Sequence, residues 1–218
     1  MIPLTLPNAG AEPLRVLCLG AHADDIEIGC GGLLLDLLAS VEAAVHWVVF
    51  SGDDIRADEA RRSAQRFAGN NAALEVEVHR FRDGLFPHEL PAIKAVFEAI
   101  KQRSRPDLIL THVPNDSHQD HRVIAELSAN TFRDHLLLGY EIPKYDGDLG
   151  RPNLYAHLSA DVARRKAGAI CEGFPSQRHR QWFSPDTFLA LARLRGIECN
   201  APEGYAEGFY APKAVLSF

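Results

Sequence analysis

The strongest constraint in this sequence is a pattern that occurs twice. A short apolar run leads into a loop dense in histidine and aspartate, and a helix-like segment follows. In the first copy, Arg15-Val16-Leu17-Cys18-Leu19-Gly20 reads as a strand buried on both faces. Ala21-His22-Ala23-Asp24-Asp25-Ile26-Glu27 comes next, and Gly29-Cys30-Gly31-Gly32 then gives way to a leucine-rich helix. In the second, Asp107 to Val113 is the strand, Pro114-Asn115-Asp116-Ser117-His118-Gln119-Asp120-His121 the loop, and Arg122 to Leu127 the start of the helix. Loops at the carboxyl ends of buried parallel strands are where open α/β sheets bind ligands. Two adjacent carboxylates beside an imidazole are costly to crowd together unless a cation compensates them.

The rest of the chain fits the same architecture. Strands are expected at Val45–Phe50, Glu75–Phe81 and His135–Ile142, with the period-two alternation of Glu75–Phe81 placing it near the sheet edge. Helices are expected from Arg56 to Ala68, capped by Gly69, and from Pro91 to Arg103, with proline at the start. Alternating strands and helices imply right-handed βαβ units in a mostly parallel sheet. The usual winding order sets the first and fourth strands side by side, so both His/Asp loops open into one crevice. The fold predicted is therefore α/β: a Rossmann-like three-layer sandwich, with residues 1–218 as one domain. Its core spans about 14–142, and a substrate-shaping part spans about 143–218. In that last part helices are expected at Asp161–Glu172 and Pro185–Arg195, and a final strand at Lys213–Phe218; residues 1–14 read as a leader arm.

Composition excludes some functions. A formal charge of −6 disfavours nucleic acid and anionic membranes, which reward clustered Lys and Arg. The basic clusters Arg61-Arg62 and Arg164-Arg165-Lys166 read as exposed helix faces. The four cysteines, Cys18, Cys30, Cys171 and Cys199, lack the C-x-x-C spacing of a zinc knuckle. Cys18 and Cys30 are expected to be packed thiols. Asp36, Glu42 and His46 interrupt the best apolar stretch, and the N-terminus shows no signal-like pattern; a cytoplasmic protein without a membrane span is expected.

The chemistry of the two loops points to a metal. His22, Asp25 and His121 supply two nitrogens and one oxygen, the three-ligand pattern of a catalytic rather than a structural zinc site. Asp24 is then free to act as general base, His118 can serve as general acid, and Asp120 can orient an imidazole. Each piece has a plainer reading. Asp24-Asp25 suits a helix N-cap, and Pro114 to Ser117 is ordinary turn chemistry. The recurrence of the pattern at a predicted winding reversal is what favours a shared ion. Seven other histidines, His112 among them, receive no role, and the Gly29–Gly32 run is expected to serve close packing.

These motifs resemble those of the PIG-L/LmbE-like zinc-dependent N-acetylglucosaminyl deacetylases. Ala21 to Glu27 is similar to that family's A-H-P-D-D-x-E, with Ala23 in the proline position, and His118-Gln119-Asp120-His121 to its H-x-D-H. Weaker similarities are Arg56 with Glu59, Asp83-Gly84-Leu85, Lys166 with Ser176-Gln177, and Ala206-Glu207-Gly208-Phe209. The resemblance implies one zinc ion per chain on His22, Asp25 and His121, Asp24 as base, and His118 as acid supported by Asp120. It leaves Arg56 either a substrate contact or one half of an ion pair. It also implies hydrolysis of an N-acetylated amino sugar, free or conjugated, and assembly as a trimer or hexamer. Two alternatives stand beside this: an amidase for larger amides of thiol-sugar conjugates, and a receiver-like or nucleotide-binding module using Asp24-Asp25 with Asp53-Asp54. The module needs oxygen-rich magnesium ligation, which the histidines do not suit.

Overall fold

The computed structural model describes residues 3–4, 12–69 and 72–215. In chain order the elements are β1 (Leu14–Gly20), α1 (Asp25–Ser40), β2 (Ala43–Val49), α2 (Asp54–Ala68), β3 (Ala72–Val78), α3 (Phe86–Arg103), β4 (Leu108–His112) and α4 (Gln119–Thr131). There follow β5 (Leu136–Tyr140), β6 (Leu154–Leu158), α5 (Ala160–Gly173), a 3-10 turn (Pro175–Gln177), α6 (Pro185–Glu198) and β7 (Tyr205–Tyr210). The strands form a seven-stranded sheet in the order β3-β2-β1-β4-β5-β7-β6. The first five in that order are parallel, and β7 runs antiparallel to both of its neighbours.

Alternation along β1 explains the three layers, because successive side chains point to opposite faces. Val16 and Cys18 pack with Ile26 and Leu34 of α1, Phe67 of α2 and Ile170 of α5. Leu17 and Leu19 pack with Ile93 and Phe97 of α3 and Ile124 of α4 on the other side. β1 lies between β2 and β4, with Val16 opposite Leu108 and Cys18 opposite Leu110. The winding reverses there, so the loops after β1 and β4 are neighbours, as expected from the sequence.

Three expectations need correction. α3 begins at Phe86 rather than Pro91, which lies inside it. Phe86 is fully buried and its N–H donates to Asp120, so tertiary contacts start the helix before the proline. The last strand is Tyr205–Tyr210, not Lys213–Phe218; Lys213–Val215 is irregular and residues 216–218 lie outside the described residues, as does most of the expected leader arm. Lys166 is not on an exposed face but buried, as part of a repair to α1.

That repair ties the C-terminal part to the first motif. α1 is kinked at Cys30, where φ is −142°. Glu207 of β7 accepts from the N–H groups of Gly32 and Leu33, both at 2.7 Å, and so caps the second half of the helix. Lys166 of α5 donates to the Ile28 carbonyl at 2.7 Å and pairs with Glu207 at 2.6 Å, closing the first half. The backbone groups freed by the kink thus have charged partners. Close approach requires glycine here. A Cβ at Gly29 would overlap the Tyr140 ring, and one at Gly32 would overlap Leu158 and Glu207. The glycine run serves packing, as expected.

Candidate metal centre and its cavity

The loop after β1 folds back on itself through Asp25, whose Oδ2 accepts from the His22 N–H at 2.6 Å. Ser51 and Phe50 donate backbone hydrogen bonds to Ala21 and Gly20 at 2.8 and 3.0 Å and hold the loop against the end of β2. These contacts set His22 Nδ1 3.2 Å from His121 Nε2 and 3.3 Å from Asp25 Oδ2, with His121 Nε2 3.5 Å from the same oxygen. Two ligands about 2.0–2.1 Å from a tetrahedral zinc lie about 3.3 Å apart, so the donor set fits the ion expected from the sequence.

The outward ring nitrogens support the same assignment. His22 Nε2 faces Asp83 Oδ1 at 3.1 Å and Asp120 Oδ2 at 3.3 Å; His121 Nδ1 faces Asp116 Oδ2 at 2.9 Å. Carboxylates there hold each ring proton outward and leave the inward nitrogen with its lone pair. Burial lowers the His22 pKa, but Asp25, Asp120 and Asp83 outweigh it and hold the group well above its ordinary value. The cluster therefore demands positive charge. Burial, with His112 beside it, pulls His121 down to about 4.

Other polar groups nearby are already engaged. His112 stacks on His121 with centroids 4.0 Å apart and lies 3.2 Å from Asp25 Oδ2, but its Nε2 accepts from the Ala21 N–H at 3.0 Å. His112 has no role in the sequence reading; the signal that could have found it is its place as the last residue of β4. His118 caps α4, and its Nδ1 accepts from the Asp120 N–H at 3.3 Å, which makes Nε2 the proton-bearing atom of the neutral ring. Burial and His22 hold the His118 pKa below its ordinary value.

Asp120 was expected to support His118, but its carboxylate instead accepts from the Gly84 and Phe86 N–H groups at 2.6 and 3.1 Å and faces His22. Only its backbone N–H reaches His118. Asp116, read from the sequence as turn chemistry, is buried and is the carboxylate behind His121.

Asp24 is the N-cap residue of α1, yet its side chain makes no cap hydrogen bond. Arg56 donates to its Oδ1 at 2.5 Å, so of the two readings of Arg56 the geometry shows the ion pair. Burial raises the Asp24 pKa against the opposing pull of Arg56, and neighbouring Asp25 adds to the rise. Glu27, the last residue of the motif, does not line the cavity; it is buried beside Ser63, and burial pushes its carboxyl up to about 8.

The cluster forms the floor of a cavity of about 560 Å³ lined by His22, Asp24, Asp25, Arg56, His118 and His121. Lys144, Tyr145 and Trp182 lie on its walls, whereas Arg151 does not. Asp53 caps α2 and Asp54 is an exposed partner of Arg80, so neither completes an acidic magnesium pocket. Among the described residues no helix is long and apolar enough to cross a membrane.

Comparison with known proteins gives matching results. A family profile described as PIG-L, GlcNAc-PI de-N-acetylase, matches residues 17–132. The uncharacterized deacetylase YaiS of Escherichia coli (strain K12) is 31% identical over 138 residues, 59% of this chain and 74% of that protein. Among solved structures, the N,N'-diacetylchitobiose deacetylase of Pyrococcus horikoshii superposes with a TM-score of 0.67 at 21% identity, covering 89% of this chain and 82% of that one. GalB, the 4-carboxy-2-hydroxymuconate hydratase of Pseudomonas putida KT2440, superposes with a TM-score of 0.70 at 17% identity, covering 94% and 98%. At such identities the two structures show a shared fold and nothing more.

Proposed function

Because this chain belongs to the PIG-L family, we propose that its cavity removes the N-acetyl group from an N-acetylated amino sugar, releasing acetate and a free amine. The receiver-like reading falls with this membership. The observation that carries the proposal is the convergence of His22 Nδ1, Asp25 Oδ2 and His121 Nε2 within 3.2–3.5 Å of one another, beside a carboxylate that is not among them. These three residues would hold one zinc ion. When bound there, zinc supplies Lewis acidity that lowers the pKa of water and polarises a carbonyl oxygen.

The chain's own groups do the proton work. Asp24 takes a proton from the attacking water, and Arg56 fixes the carboxylate that receives it. As the new C–O bond forms, charge develops on the amide oxygen. His118 can donate to it through Nε2–H even as a neutral ring, because its Nδ1 is occupied. The C–N bond then breaks, and the departing amine takes up the proton that Asp24 received from the water, which returns Asp24 to its carboxylate form. Asp120 and Asp116 act one step back, by orienting His22 and His121. The part of the chain from about residue 143 shapes the walls, and residues 1–218 are read as one domain.

An acetate-release screen over N-acetylated sugars, with and without a chelator, tests the proposal. Chelator-sensitive release of both acetate and amine is expected. Release that survives complete removal of metal would sink it. So would hydration of an unsaturated acid without amide cleavage, the chemistry named for GalB. Bulkier amides in the same panel separate deacetylation from a wider amidase activity.

A further inference from the structure

The cations that line the cavity are almost all neutralised. Arg56 pairs with Asp24, Arg80 with Asp54, Arg82 with Glu89, and Lys144 with Asp116 and Asp148. Arg180 differs, having no carboxylate partner among the described residues. Its Nε donates instead to the amide oxygen of Gln177 at 2.8 Å, a neutral acceptor that positions the guanidinium without cancelling its charge.

That positioning is anchored deep in the protein. Gln177 is buried, and its Nε2 donates to Ser176 Oγ at 3.1 Å. Ser176 in turn donates from N and Oγ to the two carboxylate oxygens of Glu59, at 3.0 and 2.6 Å. Glu59 is 1% exposed and lies on α2, one turn from Arg56. The relay Glu59–Ser176–Gln177–Arg180 thus registers a charged wall against the helix that serves the floor. Beside Arg180, Trp182 and Tyr145 form an edge-on aromatic pair with centroids 6.4 Å apart. Two cavity carboxylates, Asp53 and Asp146, also lack an ion-pair partner, but both are exposed, and Asp53 is engaged in accepting from the Arg56 N–H at the start of α2, so solvent satisfies their charge at little cost.

We infer that Arg180 binds an anionic group of the substrate, a phosphate or a carboxylate, on the portion remote from the acetamide. A fixed guanidinium without a protein counter-ion is a ready partner for such an oxyanion. The inference rests on the deacetylase reading and narrows it from N-acetylated sugars in general to those with an acidic substituent.

Calorimetric titration of the amine products onto the zinc-loaded protein tests it. The probes are glucosamine 1-phosphate, carboxymethyl glucosaminide and methyl glucosaminide. One or both anionic ligands should bind roughly tenfold or more tightly than the neutral one, as expected for a charged hydrogen bond. Comparison of the first two distinguishes phosphate from carboxylate. Arg180→Gln should erase the advantage and Arg180→Lys restore part of it, while Arg151→Gln, the same charge change away from the cavity, should leave it intact. Equal affinity for all three ligands overturns the inference. So does an advantage that survives Arg180→Gln, or a loss as large for the neutral ligand. Acetate release from methyl N-acetylglucosaminide by the unaltered protein scores the deacetylase reading separately.

Discussion

The floor of the cavity and its far wall are built on opposite plans. On the floor, His22 comes from the loop after β1, and Asp25 and His121 from the first turns of α1 and α4, the helices that follow the neighbouring strands β1 and β4; each imidazole is backed by a carboxylate. The wall from Gln177 to Trp182 belongs to neither strand end; the Glu59 relay ties it to α2, Arg178 Nε donates to the Cys171 carbonyl at 3.1 Å, and Trp182 packs against the core. The floor is therefore over-determined by the sheet, whereas the wall is registered against the floor's helix α2 through the Glu59 relay. On the proposed function, chemistry that tolerates little displacement would sit where the sheet itself sets the spacing, and recognition where a loop can vary without disturbing it.

Substitutions should expose that difference, most strongly at the floor. His22→Ala or His121→Ala should empty the site and abolish acetate release, as metal analysis of the purified variants would reveal. Asp24→Asn should lower turnover by about 10²–10⁴-fold with the metal retained; near-normal turnover would remove Asp24 from the mechanism. Asp116→Asn should weaken metal affinity by about 10–100-fold, measured by competition with a chelator. An unchanged affinity would mean that the contact with His121 orients nothing.

At the wall the effects should be smaller and of another kind. Glu59→Gln should raise KM severalfold with kcat almost unchanged, and cost about 1–3 kcal/mol of stability in urea unfolding. A fall in kcat equal to that of the floor variants would erase the distinction. The exposed pair Arg15–Asp107, 2.7 Å apart beside the opposite end of β1, supplies a baseline. Arg15 holds the Asp107 carboxyl below its ordinary value. The pair's contribution is thus complete above about pH 3.9 and fades as pH falls through the lower folded value. Solvent screening keeps it within about 0.2–1 kcal/mol, so Asp107→Asn should barely move the urea midpoint at pH 7.

The sheet was readable in advance because burial on both faces leaves continuous apolar runs, as in Leu17 to Leu19 and Leu108 to Leu110. The cluster proposed to hold a metal was readable because two strand-end segments carried the same unusual residues. Where the sequence misled, a distant partner decided. Pro91 looked like a helix start until Phe86 and Asp120 began the helix earlier. Lys166 looked like part of a solvated basic run, but it closes the kink in α1 together with Glu207. β6 escaped notice because it is a short edge strand whose pairing with β7 is not encoded locally.

Residue pattern alone determined the layered α/β architecture, the crevice at the winding reversal, and the identity of the two histidines and one aspartate that meet there. These follow from periodicity and chain order, which are local properties. Only the folded chain decided which carboxylate backs which imidazole, that Arg56 pairs with Asp24, and that Arg180 alone among the cavity's cations lacks an acidic partner among the described residues. Such pairings depend on distances of a few ångströms between segments far apart in sequence, and local pattern carries no information about them.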